Sequence, residues 1–295
     1  MTFEEPEFGS SSRVTSAGDP LVARLRAAGC VFAEDEAQLL REAARSGPIL
    51  EALAERRIGG EPLEYVLGWA EFHGLRIAVE PGVFVPRRRS ELLAREAAAL
   101  AAAAVSAAKA ADDGGSAPVV VDLCCGSGAV GAAVASAVPG VELHAADVDP
   151  IAVEVARRNV GPFGGQAHAG DLFAALPRSL RGRVSVIAAN APYVPSSAIA
   201  FMPPEARDYE PRAALDGGAD GLDLQRRVAA GAGEWLAPGG HLLIETSKHQ
   251  SSGTAALFAD AGFSARIVRD PDIGGTVVIG ESEALPAQFS AIPHS

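Results

Sequence analysis

The sequence predicts an α/β protein: an open, mostly parallel sheet flanked by helices, preceded by a small helical domain. Three observations predict it. From Pro118 onward, short apolar runs alternate with helical patterns, the rhythm of successive βαβ units. The run Val119-Val120-Val121 has no polar alternation, as expected of a strand covered on both faces. Between residues 20 and 58 the apolar positions instead recur at helical spacing, punctuated by glycines.

The elements follow in order. Residues 1–18 are polar and rich in Gly and Ser and read as a flexible tail. A helical domain over 19–69 follows. Leu21, Leu25 and Ala28 share one face, as do Ala37, Leu40 and Ala44, then Ile49, Leu50 and Leu53. Residues 70–90 read as a β-hairpin linker turning at His73-Gly74, with Val79, Val83 and Val85 favouring strand. The third domain spans 91–280. It opens with a long alanine-rich helix (91–111) and a loop (112–116). Strands are expected at 119–121, 141–146, 166–169, 184–189 and 241–245, and helices at 129–137, 150–159, 222–235 and 251–261. Runs at 263–268 and 276–279 close the sheet as a hairpin. Residues 281–295 read as a loose tail.

Bulk properties narrow the function. Hydrophobic residues make up 48% of the 295, enough for a substantial core. Twenty-five basic against 37 acidic residues give a net charge of −12, which argues against stable nucleic-acid binding, since phosphate contacts need a basic face. Cys30, Cys124 and Cys125 form no C-x-x-C pair, and an odd count is not a disulfide framework. The six histidines are dispersed, so no metal is expected. The N-terminus lacks a signal-like apolar core, and the apolar stretch 97–108 is too short to span a bilayer. A cytoplasmic protein that binds no membrane is the expectation.

The first strand runs into Asp122-Leu123-Cys124-Cys125-Gly126-Ser127-Gly128-Ala129-Val130-Gly131. Glycines 126, 128 and 131 satisfy G-x-G-x-x-G between a strand and a helix. Asp147 ends the second strand, where an acid can bind ribose hydroxyls. Two features favour S-adenosylmethionine over a nicotinamide dinucleotide. Asp122 would attract a cationic amino-acid end and repel a pyrophosphate. Asp171, after the third strand, can accept from an adenine amino group while Leu172 covers the ring; as a bare structural feature Asp171 would be a helix N-cap. The candidate cofactor-binding set is Asp122, Cys124, Cys125, Gly126, Ser127, Gly128, Asp147, Val148, Asp171, Leu172 and Asn190.

The fourth strand ends in Asn190-Ala191-Pro192-Tyr193, facing the cofactor's methyl group from a strand's carboxyl end. An amide nitrogen is a poor nucleophile because its lone pair is delocalised. Asn190 Oδ1 and the Ala191 carbonyl can each accept one N–H of an –NH2 group, orienting the nitrogen and placing negative dipole near its developing charge. Pro192 adds no competing backbone donor. Tyr193 can stack on the planar amide or supply its hydroxyl. Asn190, Pro192 and Tyr193 are the candidate catalytic residues, and Asn190 to Tyr193 the acceptor-binding set.

At these residues the chain resembles the HemK family of protein-(glutamine-N5) methyltransferases. The likeness covers about residues 20–280. It includes Glu210-Pro211-Arg212-Ala213-Ala214-Leu215-Asp216-Gly217-Gly218-Ala219-Asp220-Gly221-Leu222, the stretch from Gly60 to Gly68 with Glu71-Phe72, the run from Pro81 to Arg87, and the segment from Glu245 to Gln250. The resemblance implies a class I Rossmann-like methyltransferase domain on a mostly parallel seven-stranded sheet. It implies S-adenosyl-L-methionine contacts at Cys124, Gly126, Gly128, Asp147, Leu172 and Asn190. It also implies that the N-terminal helices help recognise a protein substrate, a translation release factor with an exposed Gly-Gly-Gln glutamine. The chain departs from the family pattern at Ala191, where a second proline is usual, and at Arg88-Arg89-Ser90-Glu91, where Pro-Glu-Thr-Glu is usual. Ser247 replaces a glycine.

Other acceptors use the same chemistry: an adenine N6 amino group in nucleic acid, or a small molecule or peptide. A non-enzymatic cofactor-binding module is the remaining class. Arg87-Arg88-Arg89 reads as a solvated loop before a helix, with an acidic protein or RNA backbone as the alternative contact. His241 and His249 read as strand and loop residues, and Glu245 as either a structural or a substrate-binding group. Asp208 and Glu210 are not needed as general bases, because a methylated amide can shed its proton to water.

Overall fold

A computed structural model describes residues 18–110 and 116–282. The expected tails, apart from residue 18 and residues 281–282, and residues 112–115 of the expected loop lie outside the described residues. The described residues divide into two compact units, the boundary falling between Leu67 and Gly68.

The first unit is helical: α1 (Pro20–Ala27), α2 (Ala33–Ala43), α3 (Gly47–Ile58) and α4 (Leu63–Leu67). Asp19 caps α1 by accepting from the Leu21 N–H at 3.0 Å, and Pro20 supplies a preset first turn. Leu21, Leu25, Ala37, Leu40 and Ala54 form its core. Beside that core Arg57 grips buried Glu36 through Nε at 2.6 Å and Nη2 at 3.2 Å, so neither charge is left unpaired. Ile49, expected on the apolar face of α3, is exposed instead, because α3 turns Leu50 and Leu53 inward.

The second unit begins with the hairpin of β1 (Trp69–Phe72) and β2 (Leu75–Ala78), which pair antiparallel. His73 and Gly74 both have positive φ, 51° and 75°, the twist a two-residue hairpin turn requires. The strand ends at Ala78. Val79, Val83 and Val85 are buried but belong to no strand: their β-branched side chains fill space in an irregular segment leading to α5 (Glu91–Ala110).

The main sheet contains β3 (Val119–Leu123), β4 (Glu142–Asp147), β5 (Gln166–Ala169), β6 (Val184–Ala189), β7 (Leu236–Glu245), β8 (Phe263–Asp270) and β9 (Gly275–Ser282), in the spatial order β5-β4-β3-β6-β7-β9-β8. The first five are parallel, and β9 runs antiparallel between β7 and β8. Successive residues of the central strands enter opposite cores. Val120, Ala145, Ala188 and Leu243 pack with α5, α6 (Ala129–Ala137) and α7 (Pro150–Val160). Val121, Ala146, Ile187 and Ile244 pack with α9 (Asp223–Ala232) and α10 (Ser251–Asp260). A short helix, α8 (Pro204–Tyr209), lies in the long connection after β6. Among the described residues no helix is long and apolar enough to cross a membrane.

This order positions the site. After β3 the chain builds β4 and β5 to one side, then returns to lay β6 on the other. The carboxyl ends of β3 and β6 are therefore neighbours, with Leu123 paired to Ala189, and the loops leaving them diverge at a topological switch point.

Candidate active site

A cavity of about 650 Å³ opens at that switch point. Its wall includes the loop after β3, the end of β4, Asp171 and Leu172 after β5, and all of Asn190-Ala191-Pro192-Tyr193 after β6. Of the expected cofactor-binding residues, all but Gly128 line it.

The loop after β3 is held by main-chain geometry that L-residues rarely adopt. Cys124 has φ 56°, Gly126 φ 52° and Gly128 φ 75°. Gly126 lines the cavity, and a Cβ built on it would meet only Phe84, at 3.8 Å. Gly128 and Gly131 serve packing instead. A Cβ on Gly128 would approach Ala156 and Val160 of α7 to 3.1 Å; one on Gly131 would approach Asp122 to 3.1 Å. Asn159 of α7, which sequence reading passed over, clamps the same loop. Its Nδ2 donates to the Ser127 carbonyl at 2.8 Å and to the Ala78 carbonyl at 2.9 Å, while Oδ1 accepts from the Ala78 N–H at 2.9 Å.

The two acids under the loop differ. Asp122 is buried, and its Oδ2 accepts from the Gly131 N–H at 2.8 Å, tying β3 to the first turn of α6. Burial raises its pKa to about 7, against the pull of that hydrogen bond, with nearby Asp147 adding to the rise. Asp147 spans two turns: Oδ2 accepts from Gly126 N–H at 2.8 Å and Oδ1 from Asp149 N–H at 2.9 Å. Burial raises its pKa also, against those two bonds. Burial drives the Cys124 and Cys125 thiols far above their usual range, so neither is a ready nucleophile.

Asp171 does not cap the turn that follows it; its carboxylate pairs with Arg227 of α9 at 2.6 Å, which leaves capping geometry unused. Leu172, at φ 49°, is turned into the cavity wall.

The tetrapeptide is braced from three sides. Asn190 Nδ2 donates to Ser90 Oγ at 3.2 Å. The Tyr193 hydroxyl accepts from Arg89 Nε at 2.9 Å and donates to Glu245 Oε1 at 3.2 Å, so the hydroxyl is committed and the ring is what Tyr193 presents. Burial, then the Glu245 charge, pushes the Tyr193 pKa up to about 12. Gln250 Nε2 donates to the Tyr193 carbonyl at 2.9 Å. The stretch from Asp216 to Gly221 backs the exit: Val194 bridges to Asp216, and a Cβ on Gly217 or Gly221 would come within 2.8 Å of Pro192 O or 2.3 Å of Tyr193 O.

The solvated-loop reading of Arg87-Arg88-Arg89 fails for two of the three. Only Arg88 is exposed. Arg87 Nη2 donates to buried Glu210 at 2.6 Å, and Arg89 joins the Tyr193–Glu245 cluster. The partners lie 123 and 156 residues away in sequence, so no local signal could have named them. Asp208 is engaged by Arg207 at 2.7 Å, outside the cavity lining.

The cavity suits S-adenosylmethionine. Its volume falls in the range of small-ligand sites, and Asp122 and Asp147 set carboxyl oxygens against the glycine loop, acceptors suited to an ammonium group and to ribose hydroxyls. Fold and site together define a Rossmann-like methyltransferase, with S-adenosylmethionine as its cofactor. The model of the methyltransferase small domain matches residues 96–201. Release factor glutamine methyltransferases from Gloeobacter violaceus and Geobacter sulfurreducens are 39% and 36% identical. These alignments cover 75% and 72% of this chain and 75% and 69% of the relatives. The 4-amino-L-phenylalanine/4-methylamino-L-phenylalanine methyltransferase of Streptomyces pristinaespiralis is 36% identical over 70% of this chain and 68% of its own. The chain belongs to the release factor glutamine methyltransferase family, the HemK family whose motifs it carries.

Proposed function

We propose that this protein methylates the side-chain amide nitrogen N5 of a glutamine in a protein of the release-factor kind, in the cytoplasm. The observation that carries the proposal is that Asn190-Ala191-Pro192-Tyr193 and the glycine loop with Asp122 and Asp147 line one cavity. When bound, S-adenosylmethionine supplies a methyl group made electrophilic by its sulfonium.

The protein's part is binding and orientation. Asn190 Oδ1 and the Ala191 carbonyl accept the two N–H groups of the acceptor amide, which fixes its plane and aims the nitrogen. The same two oxygens place negative dipole where positive charge develops, inside a buried wall where such dipoles act strongly. The Tyr193 ring, pinned at its hydroxyl, offers a flat face to the amide. Asp122 and Asp147 favour the cationic and hydroxyl-bearing parts of the cofactor.

The three arginines on the cavity wall are each matched to a carboxylate: Arg87 to Glu210, Arg89 to Glu245 and Arg227 to Asp171. This pairing supports a protein acceptor over nucleic acid, which needs uncompensated positive charge along its backbone. A second reading keeps the chemistry and takes a free amine as acceptor; the relative from Streptomyces pristinaespiralis favours it.

The test is mass spectrometry of a release factor containing Gly-Gly-Gln, incubated with the protein and S-adenosylmethionine. The expected result is a gain of one methyl group on that glutamine, absent with Asn190→Ala. An unmodified glutamine alongside turnover of an aromatic amine would transfer the assignment to the second reading.

A further inference from the structure

We infer that Ser90 is a positioning residue for methyl transfer: its hydroxyl, buried between Asn190 and Glu245, holds the Asn190 carboxamide with Oδ1 offered to the acceptor nitrogen. The inference rests on the reading of Asn190 as the group that accepts from the acceptor amide. It concerns a residue outside both the glycine loop and the tetrapeptide.

Ser90 ends the short turn Arg88–Ser90 ahead of α5 and is 2% exposed. Its Oγ accepts from Asn190 Nδ2 at 3.2 Å across 100 residues of sequence. Glu245, 1% exposed, ends β7, and its predecessor Ile244 pairs with Ala189, so Glu245 stands level with Asn190 on the adjoining strand. Three groups face the Glu245 carboxylate and favour its charge against burial: the hydroxyls of Ser90 and Tyr193, and the Arg89 guanidinium.

The direction of the hydrogen bonds then follows from donor counting. A carboxylate has no proton to give, and a serine hydroxyl has one. Arg89 and Tyr193 both engage Glu245 Oε1, and its buried Oε2 has no other partner among the described residues; with its proton turned toward that oxygen, Ser90 leaves its lone pairs for Asn190, and only the Nδ2 end of a carboxamide can donate to them. Asn190 Oδ1 is thereby the end left for the cavity. In the flipped orientation, two N–H donors would meet across the acceptor contact, and the developing positive charge would face a positive dipole. The bond from Asn190 Nδ2–H to Ser90 Oγ also polarises the carboxamide, adding negative charge at Oδ1.

The test uses the full chain, S-adenosylmethionine and a Gly-Gly-Gln peptide. Ser90→Ala is expected to lower kcat at least about tenfold, the scale of a misaimed reacting group, with peptide KM and cofactor affinity little changed. Ser90→Thr, which keeps Oγ, is expected to recover most of the loss. A second readout needs no turnover: the side-chain amide resonances of Asn190, identified by their loss in Asn190→Ala, should shift in Ser90→Ala and return in Ser90→Thr. Unmoved Asn190 resonances in Ser90→Ala would overturn the inference, whatever the kinetics; so would a wild-type kcat in that variant. If wild-type protein methylates no glutamine, the acceptor reading fails by itself, and the resonances still decide whether Ser90 holds Asn190.

Discussion

Replacing Asp122 with asparagine isolates the electrostatic cost of the cavity floor. The folded protein holds the Asp122 carboxyl at a pKa of about 7, raised first by burial, against 3.8 for the free side chain. Between those values the folded protein keeps a proton that the unfolded chain has released. Stability from this group therefore falls as pH rises through that window and levels off above pH 7. At about 1.4 kcal/mol per pH unit the whole effect amounts to about 4 kcal/mol, and about 3 kcal/mol of it falls between pH 5 and pH 8. The substituted carboxamide would be neutral throughout and would still accept from the Gly131 N–H through its oxygen. The assay is urea unfolding of both proteins, without cofactor, at several values across that range. Glu245, whose pKa is also raised, contributes to both proteins and cancels in the difference, whereas the Asp122–Asp147 repulsion is lost in the variant and forms part of it. The stability of Asp122→Asn relative to wild type should climb by about 3 kcal/mol from pH 5 to pH 8. A difference constant within about 0.5 kcal/mol would refute the buried-acid reasoning. The substitution should also weaken S-adenosylmethionine binding at pH 8, measured by calorimetry.

Three further outcomes are expected. Asn190→Ala should lower kcat by at least about 100-fold, while its thermal unfolding stays close to wild type. Gly221→Ala forces a side chain onto φ 78° with its Cβ 2.3 Å from Tyr193 O; chemical denaturation should show a loss of about 1–3 kcal/mol, accompanied by a raised acceptor KM. Tyr193→Phe strips one donor from buried Glu245 and should destabilise by about 1–3 kcal/mol. Because the Tyr193 pKa is pushed up to about 12, the alkaline limb of the wild-type rate profile should show no Tyr193 ionisation below that pH, and Tyr193→Phe should leave the limb's shape unchanged.

Much of the fold was legible because strands β3 to β7 and their helices carry local signals: unbroken apolar runs, proline at the first turn of α7, glycine after strand ends. The same β-branched signal misled at Val79, Val83 and Val85, where burial without a strand partner produces an identical composition. Ile49 misled in the other direction, since periodicity assigns a face but cannot say where a short helix's burial stops. The segment between Val194 and Gly221 carries no period at all, yet it backs the tetrapeptide through Val194, Asp216, Gly217 and Gly221.

The tetrapeptide and the glycine loop were readable because each is a contiguous backbone device: positive φ at Gly126 and an amide-proline exit at Asn190-Ala191-Pro192 are properties of neighbouring residues. The sequence by itself thus determined the βαβ order, the cofactor class and the four residues after β6 that line the cavity. The tertiary structure decided how those four are held. The adjacency of β3 and β6, the turning of Arg87 and Arg89 inward, and the line from Asn190 through Ser90 to Glu245 all join residues distant along the chain. Such contacts depend on strand order and on which charges are excluded from water together, and neither quantity is written in any local run of residues.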